Sequence, residues 1–171
     1  MEAPDESTDW KDWFYEHGPK LLLCARQWTR SAADAEDVVQ EAFVRYWRRQ
    51  RRLPGNPMAL LVTSIRRAAV DLARSNGRRS ARELAAEGAV PEADFVFEPL
   101  AGADDRRVAL EAALSRLPGE QREVLTLKLW GELTFAEIGR ELAISPHTAA
   151  SRYRYALDAL RKELSPVDCH G

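Results

Sequence analysis

Apolar residues recur with helical spacing over most of this chain, in runs separated by short polar or Gly/Pro breaks. Near the N-terminus Trp10, Trp13, Phe14, His17, Leu21 and Leu22 fall on one stripe. They predict a helix from about Asp9 to Trp28, interrupted at Gly18-Pro19. A second helix is expected from Asp34, with acids in its first turn and arginines in its last, as the helix dipole favours. Val39, Ala42, Phe43 and Tyr46 form its buried stripe, with Val38 and Trp47 beside it. Leu53-Pro54-Gly55 ends it. Asn56-Pro57 starts a third helix, through Met58, Leu61, Ile65 and Leu72 towards Arg74, with a polar loop expected over Ser75-Asn76-Gly77-Arg78-Arg79. From Gly88 to Gly102 the periodicity vanishes, and Pro91, Pro99 and scattered acids read as a linker. Asp104 then opens a helix closed by Leu117-Pro118-Gly119, and another helix ends at Gly131. The pattern holds no strand and no repeat.

The last stretch, Thr134 to Leu164, is the most specific. Thr134 with Glu137 three residues on is a capping box, so a helix begins at Phe135. Ser145-Pro146 starts another: a hydroxyl cap, then a proline where its missing N–H does no harm. The break at Ala143-Ile144 has the length of a helix-turn-helix. Ala143 stands where such a turn usually has glycine, and a positive φ there is expected to add roughly 1 kcal/mol of strain. Ala149, Tyr153, Ala156, Leu157, Leu160 and Leu164 form the apolar stripe. His147, Thr148, Ala150, Ser151 and Arg154 lie on the other side, near the helix N-terminus. Small side chains, hydroxyls, an imidazole and arginine suit a major groove, and an ordinary two-helix corner with a solvated face is the alternative.

Composition adds limits and one asymmetry. A chain of 171 residues makes one domain or two small ones. No run approaches the roughly twenty apolar residues that span a bilayer, and the first residues lack the basic and apolar regions of a secretory signal. The chain therefore reads as cytoplasmic, with no membrane partner. Cys24 sits in an apolar run as a small core residue, and Cys169-His170 offers too few ligands for zinc, so neither metal nor cofactor is expected. His17 reads as an edge-of-core residue. The sequence has no nucleophile-and-base arrangement, phosphate-cradling glycine loop or paired carboxylates, which argues against an enzyme.

The net charge of −2 conceals segregation. Between Phe43 and Arg82 stand eleven arginines and one acid, Asp71, whereas between Glu83 and Glu111 eight acids face only Arg106 and Arg107. That pattern suggests a basic surface for a polyanion, an acidic connector and a second module. The fold expected is all-α: two small helical domains, 9–86 and 104–164, joined by an acidic linker over 87–103, with the helix-turn-helix in the second. Asp34, Asp37, Gln40, Glu41, Arg45 and Arg48 lie off the buried stripe of their helix and form a solvated or a protein-docking face. Arg66, Arg67, Asp71 and Arg74, with Asn76, Arg78 and Arg79 after them, form a solvated corner or a place for phosphates and splayed-out bases.

Three stretches together resemble a known family. Asp34-Ala-Glu-Asp-Val-Val-Gln-Glu-Ala-Phe43 resembles the polymerase-docking helix of bacterial sigma factors of the extracytoplasmic-function (ECF) type. Ile65 to Arg74 resembles their promoter-melting helix, and Leu117 to Glu123 with Leu133 to Arg161 resembles their promoter-reading domain. The likeness covers roughly Trp10 to Leu164. It departs at Arg67, where asparagine is usual, and at Ala149 and Ala150, which replace a usual valine and a frequent lysine.

The resemblance implies a transcription-initiation subunit with no catalysis of its own, whose partners are core RNA polymerase and promoter DNA. Asp34, Asp37, Gln40, Glu41 and Arg45 would dock the polymerase. Arg66, Arg67, Asp71, Arg74, Asn76, Arg78 and Arg79 would meet the minus-ten element, with Asn76 walling a pocket for an extruded base. Ser145, His147, Thr148, Ser151, Arg152 and Arg154 would meet the minus-thirty-five element. The linker would thread near the RNA exit path, and an anti-sigma partner is a family expectation. The other readings are a free-standing dimeric helix-turn-helix regulator, which leaves Asp34 to Phe43 unexplained, and a sequestering interaction protein.

Overall fold

A computed structural model describes residues 10–87 and 104–165, and every regular element among them is helical. The linker lies outside the described residues except for Glu87, and Cys169 and His170 lie outside them too. Internal contacts divide the chain into two units, Met1–Glu98 and Pro99–Gly171.

The first unit opens with α1 (Trp10–Arg26), which runs through Pro19 without a break. An interior proline costs about 3 kcal/mol, enough on local grounds to end a helix. Here Trp13 and His17 before it, and Leu21, Cys24 and Ala25 after it, are all buried. They share one face, so packing on both sides holds the helical phase across the proline. His17 lies within the core rather than at its edge, stacked on Trp13 at 4.5 Å between ring centroids. Cys24 is a free, fully buried thiol, its pKa pushed up by burial.

Helix α2 (Ala32–Arg45) begins two residues before the expected Asp34, because Ser31 is the cap: its Oγ accepts the Asp34 N–H at 3.1 Å. The helix then widens into a π turn, Tyr46–Gln50, closed by the Arg51 N–H donating to the Tyr46 carbonyl at 2.8 Å. Tyr46 is buried in the core while Arg48 and Arg49 are exposed. Asn56 caps α3 (Pro57–Glu87), accepting the Met58 N–H at 2.9 Å. Met58, Leu61, Val62, Ile65, Ala68 and Ala69 bury against α1 and α2.

Helix α3 corrects the largest expectation. The loop expected over Ser75 to Arg79 is helical, and α3 continues to Glu87. Asn76 and Gly77 are weak helix formers, but the stretch has no proline, and Ala73, Arg74, Arg78, Arg79, Ala81 and Arg82 on either side favour helix.

The second unit has four helices. Asp104 caps α4 (Asp105–Arg116), its Oδ1 accepting the Arg106 N–H at 3.3 Å. Helix α5 (Gly119–Leu129) has one turn buried all round, with Val124, Leu125, Thr126 and Leu127 buried in succession. A turn buried on every side must satisfy its polar groups internally, and the Thr126 hydroxyl donates to the Arg122 carbonyl at 2.8 Å. Helices α6 (Phe135–Leu142) and α7 (Pro146–Leu164) complete the unit. Ala113, Leu114, Leu117, Leu125, Ala156 and Leu160 form its core, with Trp130, Tyr153 and Leu157 packed against it. Leu164, expected on the apolar stripe of α7, is exposed.

Candidate docking and DNA-reading surfaces

The helix-turn-helix is built from local signals that agree with one another. Thr134 Oγ1 accepts the Glu137 N–H at 3.2 Å, and Glu137 Oε2 accepts the Thr134 N–H at 2.7 Å. The backbone N–H of Thr134 holds the Glu137 carboxyl below the usual carboxylate range. At the far end Ala143 adopts the left-handed conformation, φ 55° and ψ 44°, and the Ile144 N–H donates to the Gly139 carbonyl at 2.9 Å. Glycine is needed at Gly139 instead, where a Cβ would lie 2.7 Å from the Ile144 carbonyl oxygen. Ser145 Oγ accepts the Thr148 N–H at 3.0 Å and starts α7. Phe135 meets Tyr153 edge-on at 5.6 Å, fixing the start of α6 against α7.

Ala149 is fully buried, and so is Ala156, which lets α7 sit close to the rest of the unit. His147, Ser151 and Arg154 follow at i, i+4 and i+7 on the opposite face, where His147 and Arg154 are exposed and Ser151 half-buried. Ser145 and Thr148 lie at the end of that face, their hydroxyls 2.9 Å apart. Arg152 lies to one side, half-buried, its Nη2 3.0 Å from Glu120 Oε2 on α5. Tyr155, missing from the sequence-based set, is 55% exposed, and the Arg154 guanidinium lies over its ring at 5.3 Å. An aromatic residue off the apolar stripe was the available signal.

The basic surface lies along α3. Arg67, Asp71, Arg74 and Arg78 are exposed and follow at i, i+4, i+7 and i+11, so they form one stripe. Arg66 is half-buried at the edge of the packed part. Asn76 and Arg79 are exposed on other sides of the helix, so Asn76 stands on a rod and does not line a loop pocket.

On α2 the predicted side chains border an open trough of about 610 Å3 lined by Asp37, Gln40, Glu41, Val44, Arg45, Arg48 and Arg49. Asp34, one turn before Asp37, is half-buried next to the Ser31 cap. Acids stand at the N-terminal end and arginines at the other, with Arg45 Nη2 donating to Glu41 Oε1 at 2.8 Å between them. Val44 is 45% exposed in the middle. It was not in the sequence-based set, although an apolar residue on a charged face marks it. Such a trough offers an exposed apolar centre with charges of both signs around it, which suits a protein partner of matching polarity.

The described residues therefore define two helical units, one with a trough bordered by charges of both signs on α2 and the other with a helix-turn-helix. Two family models match, Sigma-70 region 2 over residues 13–79 and Sigma-70 region 4 over residues 113–162. The chain is 34% identical to the ECF RNA polymerase sigma factor SigK of Mycobacterium ulcerans, over 86% of this chain and 82% of that protein. It is 32% identical to the ECF sigma factor SigL of Mycobacterium tuberculosis, over 89% and 86% of the two chains. Among solved structures the fold resembles the sigma factor RpoE in complex with the anti-sigma factor NepR from Bartonella quintana. The TM-score is 0.65 at 24% identity, covering 94% of this chain and 98% of that one. The chain belongs to the ECF sigma factors of RNA polymerase. It is a promoter-recognition subunit that works with core RNA polymerase and promoter DNA.

Proposed function

We propose that the two surfaces divide the work of initiation between them. The trough on α2 receives core polymerase through Asp37, Gln40, Glu41 and Arg45 around Val44, with Asp34 at its rim. The arginine stripe of α3, from Arg66 and Arg67 through Asp71, Arg74 and Arg78, lies on the minus-ten element, with Asn76 and Arg79 on its flanks. The face of α7 formed by His147, Ser151 and Arg154 enters the major groove of the minus-thirty-five element, with Ser145 and Thr148 at its leading end. Arg152 holds α7 against α5 through Glu120 as well as lying beside the DNA. The protein forms and breaks no covalent bond itself, and it acts in the cytoplasm.

The observation that carries this reading is the trough. A free-standing regulator needs the helix-turn-helix but has no use for an apolar centre ringed by opposed charges on a helix of the other unit. A sequestering protein would need the trough but not an open reading face. Run-off transcription on genomic fragments, using core polymerase with and without the chain, tests it. Specific transcripts should appear only with the chain, and their absence with well-folded protein ends the proposal. Regulation by an anti-sigma protein that masks one of these surfaces belongs to the same proposal: the similar RpoE was solved in complex with the anti-sigma factor NepR, and CnrH in complex with the cytosolic domain of CnrY.

A further inference from the structure

The distal half of α3 is a helix that the fold does not support. Every residue from Ala73 to Arg82 is exposed, so no core contact holds this stretch. Good helix formers flank its centre, but the centre itself, Ser75 to Gly77, works against it. Gly77 stands in mid-helix, where glycine is less favourable than alanine. A Cβ at Gly77 would meet nothing within 4 Å, so close packing does not explain the glycine. Ser75 and Asn76 are weak helix formers, and Arg74, Arg78 and Arg82 follow at i, i+4 and i+8, where like charges repel. Asp71 stands one turn before Arg74, but Arg78 and Arg82 have no acid three or four residues away to relieve them. The packed half of α3 supplies the nucleus, so this stretch rests on propagation alone, which is weakest at Ser75 to Gly77.

Phosphates reverse that balance. Arg67, Arg74, Arg78 and Arg82, with the single acid Asp71 among them, lie on one stripe about 22 Å long at 1.5 Å per residue. Roughly six phosphates of one strand fit along that length at 3.4 Å of rise each. Phosphates set against the stripe cancel the repulsion that opposes the helix.

We propose that residues 73–82 form an arm whose helix opens readily in the free chain and is consolidated by the phosphate backbone of promoter DNA, with Gly77 keeping its intrinsic stability low. Helix formation and phosphate binding are then one coupled equilibrium, each strengthening the other by the same factor. This rests on the reading of α3 as the minus-ten surface and adds the state of that surface before DNA arrives.

Hydrogen exchange on the full chain, and on the holoenzyme with and without a promoter fragment, tests it. The amides of 73–82 should exchange far faster than those of the packed half of α3 in the free chain, and slow markedly when the holoenzyme binds the fragment. Gly77→Ala should slow their exchange in the free chain by about fivefold, the equivalent of the glycine–alanine difference in a helix interior. It should also tighten promoter binding by up to the same factor. Gly77→Pro should weaken binding while leaving association with core polymerase intact. An arm as protected in the free chain as the packed half overturns the inference. So does a Gly77→Ala holoenzyme that binds its promoter more weakly although its arm exchanges more slowly. A holoenzyme that footprints the minus-ten element while the arm's exchange stays unchanged sinks the inference alone. A missing minus-ten footprint sinks the reading of α3 along with it.

Discussion

Gly139 and Ala143 share the demands of the turn, and they respond oppositely to substitution. Ala143→Gly removes the strain of a left-handed alanine and should stabilise the second unit by roughly 1 kcal/mol. Gly139→Ala pushes a methyl into a backbone oxygen that cannot swing aside, and should destabilise it by about 1–3 kcal/mol. Urea unfolding of the two variants against the parent reads both signs. The strained position could be read from the sequence, because the turn's length put Ala143 where glycine is usual. The need at Gly139 could not, since it comes from a carbonyl that reaches that spot only once the chain has turned.

The cap at Thr134 carries a pH signature. Glu137 is a stronger acid in the folded chain than in the unfolded one, first because the Thr134 N–H donates to its carboxylate. Its contribution is therefore complete above the ordinary carboxylate range and is lost as pH falls through the lowered folded value. Thr134→Ala should cost about 1 kcal/mol at neutral pH. Glu137→Gln should remove part of the loss of stability on acidification, measured as the midpoint of urea unfolding across a pH series.

At the level of whole helices, the faces of α2 and α7 make separate predictions. Asp37→Lys combined with Gln40→Ala should reduce association with core polymerase while leaving the circular dichroism spectrum and melting temperature near those of the parent. Val44→Asp should do the same by wetting the trough's centre. Unchanged pull-down of core polymerase by all three substitutions would move the docking face elsewhere. Arg154→Ala removes the most exposed cation of the reading face and should weaken binding at the upstream element by about 1–3 kcal/mol, as lost base contacts do. A footprint at full strength would take Arg154 out of the reading set.

Helix boundaries were less legible than helix faces. Pro19 and the Asn76-Gly77 pair are both strong local breakers, and the chain passes through both as helix. At Pro19 the decisive fact is burial on both sides, which no local rule contains. At Gly77 it is the run of good helix formers around a break that lacks proline. The start of α2 lies two residues before the point its first-turn acids indicate, because Ser31 caps it. The stripe of α2 was legible because a period of 3.6 leaves Asp37, Gln40 and Glu41 on the side away from Val39 and Ala42.

Taken whole, the α2 trough and the α7 face lie in different units, so variants should separate their effects. Changes in the α2 trough should lower polymerase association without altering which promoter the residual holoenzyme chooses, and Arg154→Ala should do the reverse. Transcription start sites mapped for both variants would test that independence. The charge asymmetry was already plain in the sequence, and the eleven arginines between Phe43 and Arg82 divide in the fold: Arg45, Arg48 and Arg49 border the trough, and Arg67, Arg74, Arg78 and Arg82 lie along α3.

The π turn offers a further consequence for how such a surface can change. One residue more than an α turn needs is stored at Tyr46–Gln50, between a core tyrosine and the exposed connection 51–56. Losing a single codon there would restore ordinary α geometry and leave whatever follows close to its present direction, because the wide turn already absorbs the additional residue. The same loss one turn earlier, inside regular α2, would swing the following side chains by about 100° about the axis. Arg48 and Arg49 should therefore keep their place beside the trough after the first deletion and leave it after the second.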